Sequence, residues 1–359
     1  MFINSKGVIM KKELLMATAL VSTLGAASVA QAVTATMSGS MKIGAEFDSP
    51  ESGVDTQNVV DLSNFSVSLS ETTDGGTTIS SSFGVIDEGA SDIGDDDNSL
   101  KLTFTDGSAL EVLNAGSALG THDVAVPGAS GEMGVAGTST NSAPTGLDFA
   151  APSTALGVEW HSAADFLVDG LKMSASFSTD QGAAKAATSR VENSWGLGAT
   201  YVTSAGDTAL TIGGGLSGSE VAVLDTQAGA DDGGFTIGVS AVTGDLTVAV
   251  GYADGDTTTG VGSNTNKQVD ADVVKAGIKY VTGDITMNVG MVSGTAVDNI
   301  FAGTDTLEDS HDEVNASVTY AVASGVSAIL GYTTVDQNDE GASDTTGGSS
   351  WYIGATMSF

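Results

Sequence analysis

Trp351-Tyr352-Ile353-Gly354-Ala355-Thr356-Met357-Ser358-Phe359 ends the chain, and its apolar members Trp351, Ile353, Ala355, Met357 and Phe359 fall on every second position. Successive side chains of a strand point to opposite faces, so one face here is wholly apolar while the other carries small polar residues and Tyr352. Such a strand suits a wall between lipid and water. The same alternation recurs upstream. Residues 235–242, the turn Thr243-Gly244-Asp245 and residues 246–252 form one hairpin, and residues 274–281, Thr282-Gly283-Asp284 and 285–291 repeat it.

Turn glycines Gly206, Gly244, Gly283 and Gly325 stand 38, 39 and 42 residues apart, a spacing that holds two strands and not the four of a propeller blade. Extending the reading predicts sixteen strands, at 34–47, 58–70, 76–86, 98–105, 108–114, 154–161, 169–179, 193–203, 207–218, 233–243, 245–254, 270–281, 284–293, 311–322, 325–336 and 349–359. An even number puts both termini on one side of a membrane. Short turns alternate with long acidic loops at 48–57, 87–97, 180–192, 219–232, 255–269, 294–310 and 337–348. One rim is therefore short-turned and the other long-looped. The loops hold Asp95-Asp96-Asp97, Asp231-Asp232, Asp254 with Asp256, and Asp305 with Glu308, Asp309 and Asp312. None has the ligand spacing of a calcium loop, and solvated surface is the plain reading of them.

The other end of the chain carries Lys11 and Lys12 before an apolar run from Leu14 to Ala30, then Ala30-Gln31-Ala32. This reads as a secretory signal peptide over residues 1–32, with Met10 as the true start and a mature chain beginning near Val33. The formal net charge of -34, with 45 acidic residues against 11 Lys and Arg, excludes nucleic acid as a partner. There is no Cys to staple an exported fold, and 48 Gly with many Thr, Ser and Val disfavour helix. A closed hydrogen-bonded barrel in lipid holds itself together without disulfides. The competing reading is an exported acidic adhesin or surface protein whose alternation belongs to a β-sandwich core.

The apolar final strand ending in Phe resembles that of the bacterial outer-membrane barrels. Ser38-Gly39-Ser40-Met41-Lys42-Ile43-Gly44-Ala45-Glu46-Phe47 is similar to the first strand of the Gram-negative general diffusion porins, of the alphaproteobacterial kind. The long connection 115–153 after the fifth strand, with little strand pattern of its own, takes the place of the loop that narrows the porin pore. The resemblance implies an all-β transmembrane antiparallel barrel of 16 strands, with residues 33–359 as a single domain and 115–153 as a constriction loop folded into the lumen. It further implies a homotrimer in the outer membrane, contacting lipid and lipopolysaccharide and passing small hydrophilic solutes. In that loop Asp123, Glu132 and Asp148 are the candidate constriction residues, and Trp351, Ile353, Ala355, Met357 and Phe359 are the candidate closure set.

Strand parity assigns faces. With Met37, Met41, Ile43 and Phe47 toward lipid, Lys42 and Glu46 point to the lumen, and the same step places Lys101, Glu111, Glu159, Lys172, Lys275 and Lys279 there. Charge is expected to be absent from the outward set, where a Lys or Arg at mid-depth costs about 2–4 kcal/mol. Trp160, Trp195, Tyr201, Tyr252, Tyr280, Tyr320, Tyr332 and Trp351 fall near strand ends, as an aromatic girdle requires. The family's Arg cluster is not matched: Arg190 is the one Arg, and Lys42 and Lys101 are the basic wall available near the first strands. His122, His161 and His311 are scattered, no nucleophile elbow is present, and no metal, cofactor or catalysis is expected. Gly213-Gly214-Gly215 lies in a strand and reads as small residues where the wall is crowded. The expected function is a passive pore with weak cation preference set by the acidic rim, where divalent cations could bridge loops to each other or to lipopolysaccharide phosphate.

Overall fold

The structure, a computed structural model, describes residues 33–51, 53–87, 100–112, 117–128, 157–179, 191–221, 231–259, 267–300, 306–338 and 345–359. The predicted leader at 1–32, Glu132, Asp148 and Arg190 lie outside these residues. Sixteen antiparallel strands form one closed barrel. They are β1 (Thr34–Pro50), β2 (Thr56–Thr72), β3 (Thr78–Asp87), β4 (Leu100–Thr103), β5 (Ala109–Val112), β6 (Gly157–His161), β7 (Leu171–Thr179) and β8 (Val191–Ala205). The series continues with β9 (Thr208–Val221), β10 (Asp231–Thr243), β11 (Leu246–Thr259), β12 (Lys267–Thr282), β13 (Ile285–Ile300), β14 (Thr306–Ala323), β15 (Val326–Asn338) and β16 (Thr345–Ser358). Each strand pairs with its sequence neighbours, and β1 pairs with β16 from Ser40 opposite Ser358 to Pro50 opposite Gly348. One helical turn, α1 (Ala118–Thr121), precedes β6.

Three of the hairpins turn on Gly-Asp. Gly206, Gly244 and Gly283 have φ of 62°, 56° and 57° at the first of the two connecting positions, which is the requirement of a type II′ turn and one that a Cβ opposes. In the β2–β3 turn the left-handed residue is Gly76 and not the neighbouring Gly75.

The distribution of burial inverts that of a soluble protein. Buried positions are held mostly by polar side chains, among them Glu46, Glu159, Ser174, Ser176, Ser178, Ser194, Asn315, Thr333 and Ser350. Met41, Ile43, Phe47, Leu197, Ile237, Val250, Ile278, Val289 and Ile353 are exposed. A sandwich would bury the apolar face, so the closed barrel with its apolar outside rules out that alternative. Trp195, Phe235, Tyr252, Tyr332 and Trp351 circle the long-loop side of the outer face, and Trp160, Tyr201, Tyr280 and Tyr320 the short-turn side. They pack across strands: Tyr332 on Trp351 with centroids 4.5 Å apart, Phe235 on Tyr252 at 5.8 Å. Just beyond Tyr252 the same face turns acidic at Asp254, which accepts a hydrogen bond from the Tyr252 hydroxyl at 2.9 Å.

Three expectations need correction. Strands run further into the acidic rim than alternation suggested: β13 extends to Ile300 and β14 begins at Thr306 inside the predicted loop 294–310, and β11 extends to Thr259 and β12 begins at Lys267 inside the predicted loop 255–269. Apolar alternation stops at the membrane edge, whereas backbone pairing continues into water. Asp231, Asp232, Asp254, Asp256, Glu308, Asp309 and Asp312 therefore belong to strands. β4 ends at Thr103 and β5 begins at Ala109, so Phe104, Thr105 and Ser108 of the predicted strands belong to the connection between them. The outward face is also not free of charge: Asp61 stands directly opposite Ile43, mid-band and exposed.

Candidate functional site

Inside the barrel the decisive feature is residues 117–128, which lie flat against the wall from β7 to β13. After the turn of α1 the burial alternates: His122, Val124 and Val126 face the wall, while Asp123 and Ala125 face away from it. Side-chain hydrogen bonds fix the start of this segment. The Ala118 amide donates to Ser176 Oγ (3.0 Å) and Thr121 Oγ1 to Glu159 Oε1 (2.7 Å). The His122 ring lies between Thr200 Oγ1 (2.7 Å from Nδ1) and Ser174 Oγ (2.9 Å from Nε2).

The wall beneath is made of glycine. A Cβ on Gly198 would lie 2.2 Å from the Ala118 carbonyl, one on Gly213 2.6 Å from that of His122, and one on Gly277 1.8 Å from that of Pro127. Gly215, Gly238 and Gly290 are similarly crowded by Leu119, Val124 and Gly128. Most of these glycines lie about five residues above their short turns, so the segment follows an arc of nearly constant height. Val126 packs on Ala249 and Val292 within that arc. The crowding read into Gly213-Gly214-Gly215 is thus explained on the inner side by a docked backbone.

The eight charged residues assigned by parity all stand on the face opposite the exposed apolar set, and the structure gathers them in groups. Lys101, Glu111 and Glu159 meet on β4, β5 and β6, with Lys101 Nζ donating to Glu111 Oε1 at 2.6 Å. His161 joins them, its ring nitrogens 3.3 Å from Glu111 and 3.7 Å from Glu159. At the β16–β1 seam, Lys42 Nζ sits 4.8 Å from the centroid of the Tyr352 ring, and Ser350 Oγ donates to Glu46 at 3.2 Å. Beside Glu46, Asp48 accepts from Thr56 and Asn58. Lys275 and Lys279 flank Gly277 on β12, above and below the docked segment, and Lys172 is exposed on β7. In a ring of sixteen, β5 and β6 stand seven and six strands from β12, so the acidic group and the Lys275–Lys279 pair occupy opposing walls.

Sequence reasoning missed Tyr352, which is fully buried against Val60 and Ile329 with Gly44 and Gly354 beneath its ring. It also left the histidines unassigned. His122 holds the segment to the wall, His161 belongs to the Glu111 group, and His311 lies 3.4 Å from Glu313, which bonds Asn315 and through it Thr333. The available signal was parity: His161 shares the inner face with Glu159, two residues earlier. His122 is on the inserted segment and not on a spanning strand. Its burial, with His161 and Lys172 nearby, holds its imidazole below the ordinary value.

A closed sixteen-strand barrel with an apolar outer band, two aromatic girdles and a polar, charged inner face is a channel protein of the outer membrane. The chain belongs to the Gram-negative porin family, whose profile matches residues 17–358. No curated protein matches it in sequence. Solved structures share the fold at low identity. The anion-selective porin from Comamonas acidovorans superposes with a TM-score of 0.65 at 10% identity, covering 91% of this chain and 100% of that one. OmpT of Vibrio cholerae in its trimer form gives 0.62 at 16%, covering 91% and 99%. The outer membrane channel DcaP of Acinetobacter baumannii gives 0.62 at 10%, covering 92% and 99%.

Proposed function

We propose that the barrel admits small hydrophilic solutes and ions by passive diffusion, with 117–128 as the described part of a constriction loop and a weak preference for cations. The observation that carries this is the inner surface itself, lined by charged and polar side chains and narrowed by a segment that presents Asp123 away from the wall. Lys42, Glu46, Lys101, Glu111, Glu159, Lys172, Lys275 and Lys279 line the path. The acidic rim concentrates cations at the mouth, while Lys275 and Lys279 face Glu111 and Glu159 across the lumen and give the pore a transverse field. Reversal potentials of single channels in a salt gradient test this: a cation-selective sign supports it, an anion-selective sign overturns it.

Asp61 supports the homotrimer. A carboxylate at mid-band is poorly placed in lipid but well placed against another copy of the chain. With no native Cys, Asp61→Cys should be cross-linked between copies by a short bismaleimide, whereas Ile278→Cys on the far side should not. Equal cross-linking at both positions would remove the support. Divalent cations bridging the acidic rim to lipopolysaccharide would raise the melting temperature, and an unchanged value after chelation would dismiss them.

A further inference from the structure

We propose that Glu111, Glu159 and His161 form a binding site on the inner wall for a divalent transition metal, with Zn²⁺ as the best match. Glu111 and Glu159 are paired directly across β5 and β6, and His161 follows Glu159 on the same face. One ligand atom from each lies within 4.8 Å of the others. Their separation in sequence hides the set, because barrel pairing alone brings 111 beside 159.

Two further observations point to a cation as the ligand of this group. His161 Nδ1 lies 3.0 Å from Ser174 Oγ, which fixes the ring, while Nε2 is buried with no hydrogen-bond partner and 3.3 Å from Glu111 Oε1. With Nδ1–H donating to Ser174, the Nε2 lone pair faces a carboxylate oxygen, an arrangement relieved by a positive centre between them. Glu159 is 1% exposed, and its hydrogen bond comes from the neutral Thr121, while the nearby ammonium of Lys101 is engaged with Glu111. A buried carboxylate needs a closer counter-charge than that.

The donor set selects the ion. Zn²⁺ at about 2.0–2.2 Å from nitrogen and oxygen ligands needs ligand pairs roughly 3.4 Å apart, close to the separation of His161 Nε2 and Glu111. An imidazole with two carboxylates suits Zn²⁺ better than Ca²⁺ or Mg²⁺, which favour oxygen throughout. Lys101, 43% exposed, is free to swing into the lumen as the metal takes its oxygen, and water from the lumen completes the coordination.

The test uses the untagged mature barrel in detergent, its fold checked by heat-modifiable gel mobility, titrated with Co²⁺ by visible absorption and with Zn²⁺ by calorimetry. One Co²⁺ per chain with a tetrahedral spectrum is expected, lost in His161→Ala and weakened in Glu159→Gln. Lys101→Met should tighten binding, and Ser174→Ala should weaken it about 10–100-fold through loss of ring orientation. Metal affinity should fall as the pH is lowered, because protons compete with the ion for its ligands. A folded barrel that gives no spectrum overturns the proposal. So does a spectrum unchanged in His161→Ala, which would move binding to His311 and Glu313 or to the acidic rim. The proposal rests on the inner face of the barrel but not on conduction, so binding and solute flux fail independently.

Discussion

The seam between β16 and β1 and the arc from β8 to β13 both depend on glycines of the inner wall, but for different occupants. At the seam, a Cβ on Gly44 or Gly354 would meet the Tyr352 ring at 2.7 or 2.6 Å, so the missing side chains make room for a ring from the wall itself. Along the arc, the space above Gly198, Gly213, Gly277 and Gly290 is filled by backbone of residues 117–128. The first arrangement locks the wall to itself. The second builds a shelf for a part that is covalently remote from it. At the seam and along the arc an inward glycine therefore marks a surface on which something lies flat, and the occupant decides whether its loss affects the wall or the pore.

The largest effect should come from the seam. Gly354→Val places a branched side chain against the Ile43 carbonyl as well as the Tyr352 ring, so the closed barrel should fail to form, read as loss of the heat-modifiable band. Tyr352→Ala leaves the backbone able to close but empties the joint. A loss of about 3–5 kcal/mol in unfolding free energy is expected, measured by urea titration in lipid vesicles. Equal stability of this variant and the parent would erase the distinction drawn for the seam.

Gly277→Val should instead spare the barrel and release the segment. Overpacking costs about 1–3 kcal/mol, which competes with a few side-chain hydrogen bonds worth about 1 kcal/mol each. Single-channel conductance should rise with gel mobility unchanged, and a barrel that unfolds would assign the arc to the wall after all. A smaller effect is expected from acid. Because the docked state holds the His122 imidazole low, the undocked segment binds the proton first. Docking is therefore intact above the ordinary His value near 6.5 and weakens as the pH falls below it. Hydrogen exchange of residues 117–128 should quicken between about pH 6.5 and 5, and His122→Gln should remove that dependence. The smallest change is in selectivity. Lys275→Glu with Lys279→Glu should shift the reversal potential further toward cations without altering stability, since both side chains face water.

Much of this was legible in the chain. Alternation with Gly-Asp turns defined a barrel, and parity alone sorted Lys42, Glu46, Lys101, Glu111, Glu159, Lys172, Lys275 and Lys279 onto one face. What alternation could not show was pairing above the membrane, because Asp256, Glu308 and Asp309 continue their strands without the apolar alternation that reveals one. It also could not show which inner residues meet. Tyr352 looked like one more polar-face residue until closure brought Val60 and Ile329 beside it, and His161 looked isolated until β5 and β6 were paired. Parity failed at Asp61 because the outward set was judged by its apolar members alone, while Asp61 shares that face with Val59 and Phe65.

The pairing of β1 with β16 also has a kinetic meaning. Every other contact of the sheet joins neighbours in sequence, whereas the Tyr352 hydroxyl donates to the Ile43 carbonyl across 309 residues. Loop-closure entropy grows only logarithmically with length, so the last pairing is thermodynamically cheap but must wait for all the rest. Until then the sheet has two free edges, each able to template a strand from another chain. An assembling barrel of this kind is therefore most vulnerable to aggregation at its penultimate step, and a chain lacking only its final strand would remain there.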